Sequence, residues 1–124
     1  MLFKMLVGGI LKGRSLWTCA NISEFFSEDL KISQEMFEIG YNELLKEENS
    51  LPICLSSCRV LGKYMEKIDL NQPDFSEPLK RIIVKLVELI PKTNSETIHI
   101  PLETIIKFHK VLSIPFNFHR QMRA

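Results

Sequence analysis

The sequence lacks the features that mark several common classes of protein. Its formal net charge is only +1, and general binders of nucleic acid or anionic membranes carry a basic excess. No apolar run approaches the roughly 20 residues of a membrane-spanning helix. The apolar start, Met1 to Gly9, has no small-residue cleavage site of the kind that ends a signal peptide. We therefore expect neither direct nucleic-acid binding nor membrane insertion.

Cysteine is scarce, with Cys19, Cys54 and Cys58 the whole complement. An odd, low count without a secretory signature indicates reduced thiols inside the cell. Cys54 and Cys58 are four residues apart and would share one face of a helix, but a zinc site needs about four ligands and no histidine is close in sequence. The sequence predicts small apolar packing residues at these positions, and it predicts no metal or other cofactor.

What the sequence does contain is typical of a folded, soluble chain. Hydrophobic residues make up 45% and charged residues 25% of the 124 residues, which suits a single globular domain over residues 1–124. Apolar residues recur at spacings of three and four, the helical period, and no segment alternates as a strand does. The sequence therefore predicts an all-α protein.

Five helices are predicted from this spacing. Trp17 lies on the apolar stripe of the first and is expected in the core. Ser33 is the expected N-cap of the second, and Leu51-Pro52 opens the third because proline suits a first helical turn. Pro101 lies inside the fifth or at its start, and inside it would kink the helix. The predicted spans are 14–26, 33–45, 51–68, from 75 or 78 to 90, and 95–112.

The fourth predicted helix is apolar on more than half of its circumference. Its apolar run includes Val84 and Val87. A helix of this kind is expected to be covered on two sides.

The spacing of these helices predicts a repeat architecture. The first, third and fifth begin about 40 residues apart, and HEAT and armadillo repeats have periods of roughly 40–47 residues. The expected fold is a HEAT/armadillo-type α-solenoid fragment of about two and a half hairpins. The hairpins are 14–47, 52–90 and, as a half repeat, 95–112.

The two ends of the sequence are apolar, whereas the terminal units of a solenoid need polar caps. We therefore expect a fragment of a longer solenoid, or a chain whose ends pack against another chain. The last residues, Phe116 to Ala124, are basic and are expected to fray. The apolar residues in question are Leu2, Phe3, Met5, Leu6, Ile114, Phe116 and Phe118.

Two stretches go beyond generic repetition. One runs from Gly13 to Phe26 and has Arg14 three residues before Trp17; the other is LPICLSSCRVLGKY, from Leu51 to Tyr64, with Arg59. These resemble the middle HEAT repeats of the importin-β superfamily, and the importin-nine branch looks closest. The segment 95–112 looks like the helix that opens the next repeat, so the resemblance covers roughly residues 5 to 113.

The resemblance implies a segment of a nucleocytoplasmic transport receptor, present in cytoplasm and nucleus, that binds protein cargo on a concave surface without catalysing a reaction. Members of the family are many times longer than this chain. The amino-terminal repeats that bind the Ran GTPase have no counterpart here, so Ran binding is carried over to no residue. The alternative is a general HEAT scaffold or adaptor in another protein complex.

Charged residues on the second and fourth helices are the candidate partner contacts. In a HEAT stack the second helix of each hairpin lines the concave binding surface, although most charge runs are simply solvated faces. The candidates are Glu35, Glu38, Glu43, Lys80, Arg81, Lys85 and Glu88.

One motif suggests an enzyme. Gly8 to Ser15 matches the phosphate-binding loop G-x-x-x-x-G-K-S/T except that Arg14 replaces the lysine. Arginine is a planar fork and does not substitute freely for an ammonium group, and no later strand supplies the aspartate that such sites use for magnesium. The sequence favours an inter-helix turn at these glycines, leaves a nucleotide-binding enzyme as a third hypothesis, and predicts no catalytic residue.

Overall fold

The computed structural model describes the backbone of residues 2–26 and 28–113 and the side chains of residues 10–25 and 28–112. In these ranges the chain is helical and contains no strand, which confirms the predicted all-α class. Short 3-10 turns link five α-helices. The helices are α1 (Leu2–Asn21), α2 (Leu30–Leu45), α3 (Leu51–Tyr64), α4 (Ser76–Leu89) and α5 (His99–Ser113).

The first helix corrects two predictions. α1 runs unbroken through Gly8, Gly9 and Gly13, so the expected inter-helix turn is wrong. Glycine weakens a helix by only about 1 kcal/mol per residue relative to alanine. Among the described side chains of α1, Leu16 and Ala20 are buried. Their packing favours the helix and opposes the penalty from its glycines. The sequence around Gly8 to Ser15 is therefore helix, and it forms no phosphate-binding loop.

Trp17 was predicted to lie in the core, and this is wrong because its side chain is 55% exposed. One residue corresponds to about 100° of rotation around a helix. With Leu16 and Ala20 facing the protein interior, Trp17 is turned towards the solvent beside Arg14 and Thr18, which are also exposed.

The second helix begins earlier than the sequence predicted. Its N-cap is Asp29, whose side-chain oxygen accepts a hydrogen bond from the amide of Ile32 at 3.0 Å. Ser33, the expected cap, lies inside the first turn of α2 and is fully buried. Aspartate and serine are both good caps, so capping preference alone does not choose between them. Packing decides, because the first turn of α2 buries Ser33.

Proline and asparagine mark the starts of α3 and α5. Pro52 lies in the first turn of α3 as predicted. The fifth helix starts at His99, later than the predicted residue 95, because Asn94 forms a turn in which its Oδ1 accepts from the amides of Glu96 and Thr97. Pro101 therefore lies in the first turn of α5, where its missing amide is tolerated.

The third helix is the centre of the molecule. It packs against α1, α2 and α5, and α4 packs against α2 and α5. Cys58, Val60 and Leu61 of α3 are fully buried. Burial of Cys54 and Cys58 agrees with the small apolar role predicted for them. The hydroxyl of Tyr64 donates a 2.7 Å hydrogen bond to the carbonyl oxygen of Cys19 and so ties α3 to α1.

Aromatic rings join the helices around Phe37. Its ring meets those of Tyr41, Phe75 and Phe108 edge-on, with centroids 5.8, 5.9 and 6.3 Å apart. These rings belong to α2, to the 3-10 turn before α4, and to α5. A single buried side chain thus connects three separate parts of the chain.

The division into hairpins 14–47, 52–90 and 95–112 stays a prediction. In the structure α3 contacts α1, α2 and α5, and α4 contacts α2 and α5. The predictions for the two ends concern residues outside the described side chains: those at Leu2, Phe3, Met5, Leu6, Ile114, Phe116 and Phe118, and the basic segment 116–124.

Candidate partner-binding site

Four of the predicted partner-contact residues line one cleft beside α4. The cleft has a volume of about 420 Å³ and contains Lys80, Arg81, Lys85 and Glu88. The other lining residues are Leu45, Glu47 and Val84. We call this set of seven residues the α4 cleft.

The pattern of α4 explains why these residues lie together. Leu79, Ile82, Leu86 and Leu89 are buried and repeat at spacings of three and four, which places them on one side of the helix. The positions between them, 80, 84 and 88 together with 81 and 85, fall on the other side. The buried stripe therefore determines which charges line the cleft.

The α4 cleft carries a small excess of positive charge. Lys80, Arg81 and Lys85 bring three cations, while Glu47 and Glu88 bring two carboxylates, so the formal charge is 3 − 2 = +1. None of the five forms an ion pair with another residue in the described part of the chain. Their charges are available to a partner molecule.

The cleft also has an apolar centre that sequence reasoning missed. Val84 is 57% exposed, and Val87 on the same helix is 54% exposed. α4 packs against α2 and α5, in line with the expected cover on two sides, but Val84 and Val87 lie outside these contacts. The signal was present in the sequence, because the apolar run of α4 is wider than one buried face requires.

The three acidic candidates on α2 differ in their exposure and in their contacts. Glu35 and Glu38 are exposed. Near them lies a second hollow of about 510 Å³, lined by Ile39, Asn42, Glu43, Leu45 and Lys46, and it shares Leu45 with the α4 cleft. The two hollows therefore lie next to each other at Leu45.

Glu43 is committed to contacts within the chain. Its carboxylate pairs with Lys46 at 2.7 Å and with Lys12 of α1 at 3.1 Å, and it accepts a 2.9 Å hydrogen bond from Asn49. Burial alone would raise the pKa of this carboxyl, but the hydrogen bonds from Lys46, Asn49 and Lys12 outweigh it and lower the pKa to about 2. The role of Glu43 as a partner contact stays a prediction.

Two of the three thiols are buried at the centre of the molecule. No group of three or more histidine, cysteine, aspartate or glutamate side chains within them could hold a metal ion. Burial raises the pKa of the Cys54 thiol and raises that of Cys58 to about 12, so both stay protonated and are poor nucleophiles.

No helix among the described residues is long and apolar enough to cross a membrane. Comparison of the chain with protein-family models, with curated proteins and with solved structures finds no match. The resemblance to importin-β repeats therefore rests on the residues quoted for it.

Proposed function

We propose that this chain is a protein-binding segment of an importin-like nucleocytoplasmic transport receptor and that it holds its partner along α2 and α4. The observation that carries the proposal is the α4 cleft, where Lys80, Arg81, Lys85 and Glu88 surround an exposed valine. An apolar centre with a charged rim is the usual anatomy of a protein-binding surface.

The contacts between helices support a stacked arrangement. In a HEAT stack each helix touches the corresponding helix of the next unit, so contacts skip one element along the chain. Contacts of α1 with α3, α3 with α5 and α2 with α4 follow this rule. On this proposal α2 and α4 form one layer of the stack, and the candidate residues lie on that layer.

The charges indicate how a partner would bind. Glu35 and Glu38 on α2 suit a basic segment of a nuclear cargo, whereas Lys80, Arg81 and Lys85 suit an acidic segment. Rim charges of this kind mainly set the association rate and its dependence on salt, and buried apolar contacts slow dissociation. A cargo with both charge signs and an exposed apolar side chain fits the surface.

Binding of the full chain to a defined panel tests the proposal. The panel contains basic nuclear cargo proteins and nucleoporin repeats, with binding measured by surface plasmon resonance. The variant Lys80→Glu/Arg81→Glu/Lys85→Glu should weaken cargo binding by roughly tenfold or more, because it reverses the charge of the rim. The matched control is Arg14→Glu/Lys92→Glu/Lys110→Glu, which reverses three exposed charges that line neither this cleft nor another.

The outcomes separate the two candidate classes. Nucleoporin and cargo binding that the triple variant abolishes supports the transport-receptor proposal. Absence of binding to every member of the panel contradicts it and leaves the general HEAT scaffold. Equal weakening by the control variant would show that α2 and α4 are the wrong surface.

A further inference from the structure

A second cleft lies between α3 and α5, and the carboxyl end of α1 closes one side of it. Its volume is about 220 Å³. Arg59 and Lys63 line it from α3, and His99, Glu103 and Lys107 line it from α5. We call these five side chains the α3–α5 cleft.

Helical spacing aligns these side chains in two rows. Arg59 and Lys63 are four residues apart, as are His99, Glu103 and Lys107 in turn, so each set lies along one face of its helix. Because α3 packs against α5, the two rows border the same cleft. Long side chains from both rows can therefore reach one ligand.

The positive charge of the α3–α5 cleft is not neutralised within the described structure. Arg59, Lys63 and Glu103 form no ion pair with any described residue. The ammonium group of Lys107 donates one long hydrogen bond, 3.3 Å, to the carbonyl oxygen of Gly62. Three cations and one carboxylate leave a formal charge of 3 − 1 = +2 with His99 neutral.

The side chain of Lys107 lies against α3 at Gly62. A Cβ atom at Gly62 would lie 3.6 Å from Lys107 Nζ and 3.7 Å from its Cδ, which is ordinary contact distance. Lys107 thus lies flat against α3, and its ammonium group stays at the cleft.

Side chains, and not the start of α5, supply the donors. The amides of Ile100 and Leu102 already donate to the carbonyl oxygens of Thr97 and Ile98, and Pro101 has no amide hydrogen. The guanidinium of Arg59 has five N–H donors in a planar fork that matches the oxygens of a carboxylate or phosphate.

We propose that the α3–α5 cleft binds a phosphate group, held by Arg59, Lys63 and Lys107. The cleft is smaller than the roughly 300–1,000 Å³ of small-molecule sites, so it suits one functional group of a larger molecule or a small anion. A phosphate monoester carries about −1.5 to −2 charges at neutral pH, which balances the formal +2 of the cleft. A carboxylate would leave half of that charge uncompensated.

Titration of the isotope-labelled full chain, followed by amide chemical shifts at constant ionic strength, tests the inference. The probes are inorganic phosphate, a phosphoserine peptide and the same peptide with serine. We expect saturable shifts at Arg59, Lys63 and Lys107 with phosphate-bearing probes. Arg59→Ala should weaken this binding by roughly tenfold, since it removes a charge-assisted pair. Arg14→Ala on α1, which removes an exposed arginine outside both clefts, should leave it unchanged.

Each result of the titration either supports or overturns the proposed phosphate site. Tighter binding of the phosphopeptide than of free phosphate identifies a phosphoprotein as the source, and equal binding identifies a small phosphate compound; both support the site. Absence of saturable shifts, equal binding of the serine peptide, or equal loss in Arg59→Ala and Arg14→Ala overturns it. Circular dichroism of both variants should match that of the original chain, because both arginines are exposed.

Discussion

At the scale of single residues, Glu43 shows how a surface charge can be part of the fold. It connects α1 through Lys12, the end of α2 through Lys46, and the following loop through Asn49. The side-chain amide of Asn49 also donates to the backbone carbonyl oxygen of Glu43 at 2.6 Å. Glu35 and Glu38 on the same helix have no such contacts within the described chain, so they remain available to a partner.

Replacement of Glu43 by glutamine should change how stability depends on pH. The folded-state pKa of Glu43 is about 2, below its ordinary value of 4.5. The ionised carboxylate therefore stabilises the fold above pH 4.5, and this contribution is lost as pH falls towards 2. Glu43→Gln should lower the free energy of unfolding by about 1 kcal/mol at neutral pH, because ion pairs near the surface are individually weak. Urea unfolding at neutral and acid pH measures the effect.

The control for this variant is Glu47→Gln, since Glu47 is exposed and forms no ion pair with a described residue. Its unfolding should match that of the original chain at neutral pH. A difference between Glu43→Gln and the original chain that stays constant into acid would contradict the assigned role of Glu43.

At the scale of helices, two glycines that both lie inside a helix differ in how much space surrounds them. Gly13 in α1 has open space where a Cβ atom would be. Gly40 in α2 faces α3, and a Cβ there would lie 3.0 Å from Val60 Cγ1 and 3.2 Å from Leu61 Cδ2. Both neighbours are fully buried, so they have little room to move. Gly40 allows α2 and α3 to pack closely.

Alanine at these positions should have opposite effects on stability. Gly13→Ala should raise the free energy of unfolding by up to about 1 kcal/mol, because alanine favours the helix and meets no neighbour. Gly40→Ala should lower it by about 1–3 kcal/mol, because overpacking a rigid core outweighs the helix preference. Urea unfolding of the two variants gives the comparison. Stabilisation by Gly40→Ala would show that α2 and α3 are not closely packed there.

At the scale of the whole molecule, Phe37 and α3 decide whether the helices fold as one unit. Phe37 is fully buried, and its ring meets rings from two other elements at about equal distance. The central helix α3 contacts α1, α2 and α5. Removal of one connecting side chain should therefore affect all the helices together.

Phe37→Ala should destabilise the fold by about 3–5 kcal/mol through the cavity that it leaves. That is a large part of the roughly 5–15 kcal/mol by which natural domains are stable. Thermal unfolding followed by circular dichroism should show a large drop in the midpoint with a single transition. Phe25→Ala is the matched control, because Phe25 is 82% exposed and its loss should change little. Separate transitions for different helices would contradict a single cooperative unit.

The stacked fold and its partner surface remain proposals, and the whole-molecule experiments bear on them. Small-angle scattering of the full chain measures its shape directly. An elongated shape would support the stacked arrangement proposed from the contacts of α1 with α3, α3 with α5 and α2 with α4. A closed globule with no open groove would contradict it.

Much of the secondary structure followed from the sequence, because it depends on residues close together in the chain. Apolar spacing of three and four predicted an all-α protein, and Pro52 correctly marked the start of α3. The spacing of Lys80, Arg81, Lys85 and Glu88 placed them together on α4, and in the structure they line one cleft. Their role as partner contacts stays a prediction.

Only the tertiary structure decided which face of each helix is buried and how its charges are used. The apolar stripe of α1 is wide enough to suggest Trp17 as a core residue, yet contact with α3 buries Leu16 and Ala20 instead. Val84 is likewise exposed, and Glu43 is tied to Lys12, 31 residues away. Local sequence sets the period of a helix, but its rotation and its partners depend on residues distant in the chain. The sequence therefore determined the elements, and packing determined the surfaces.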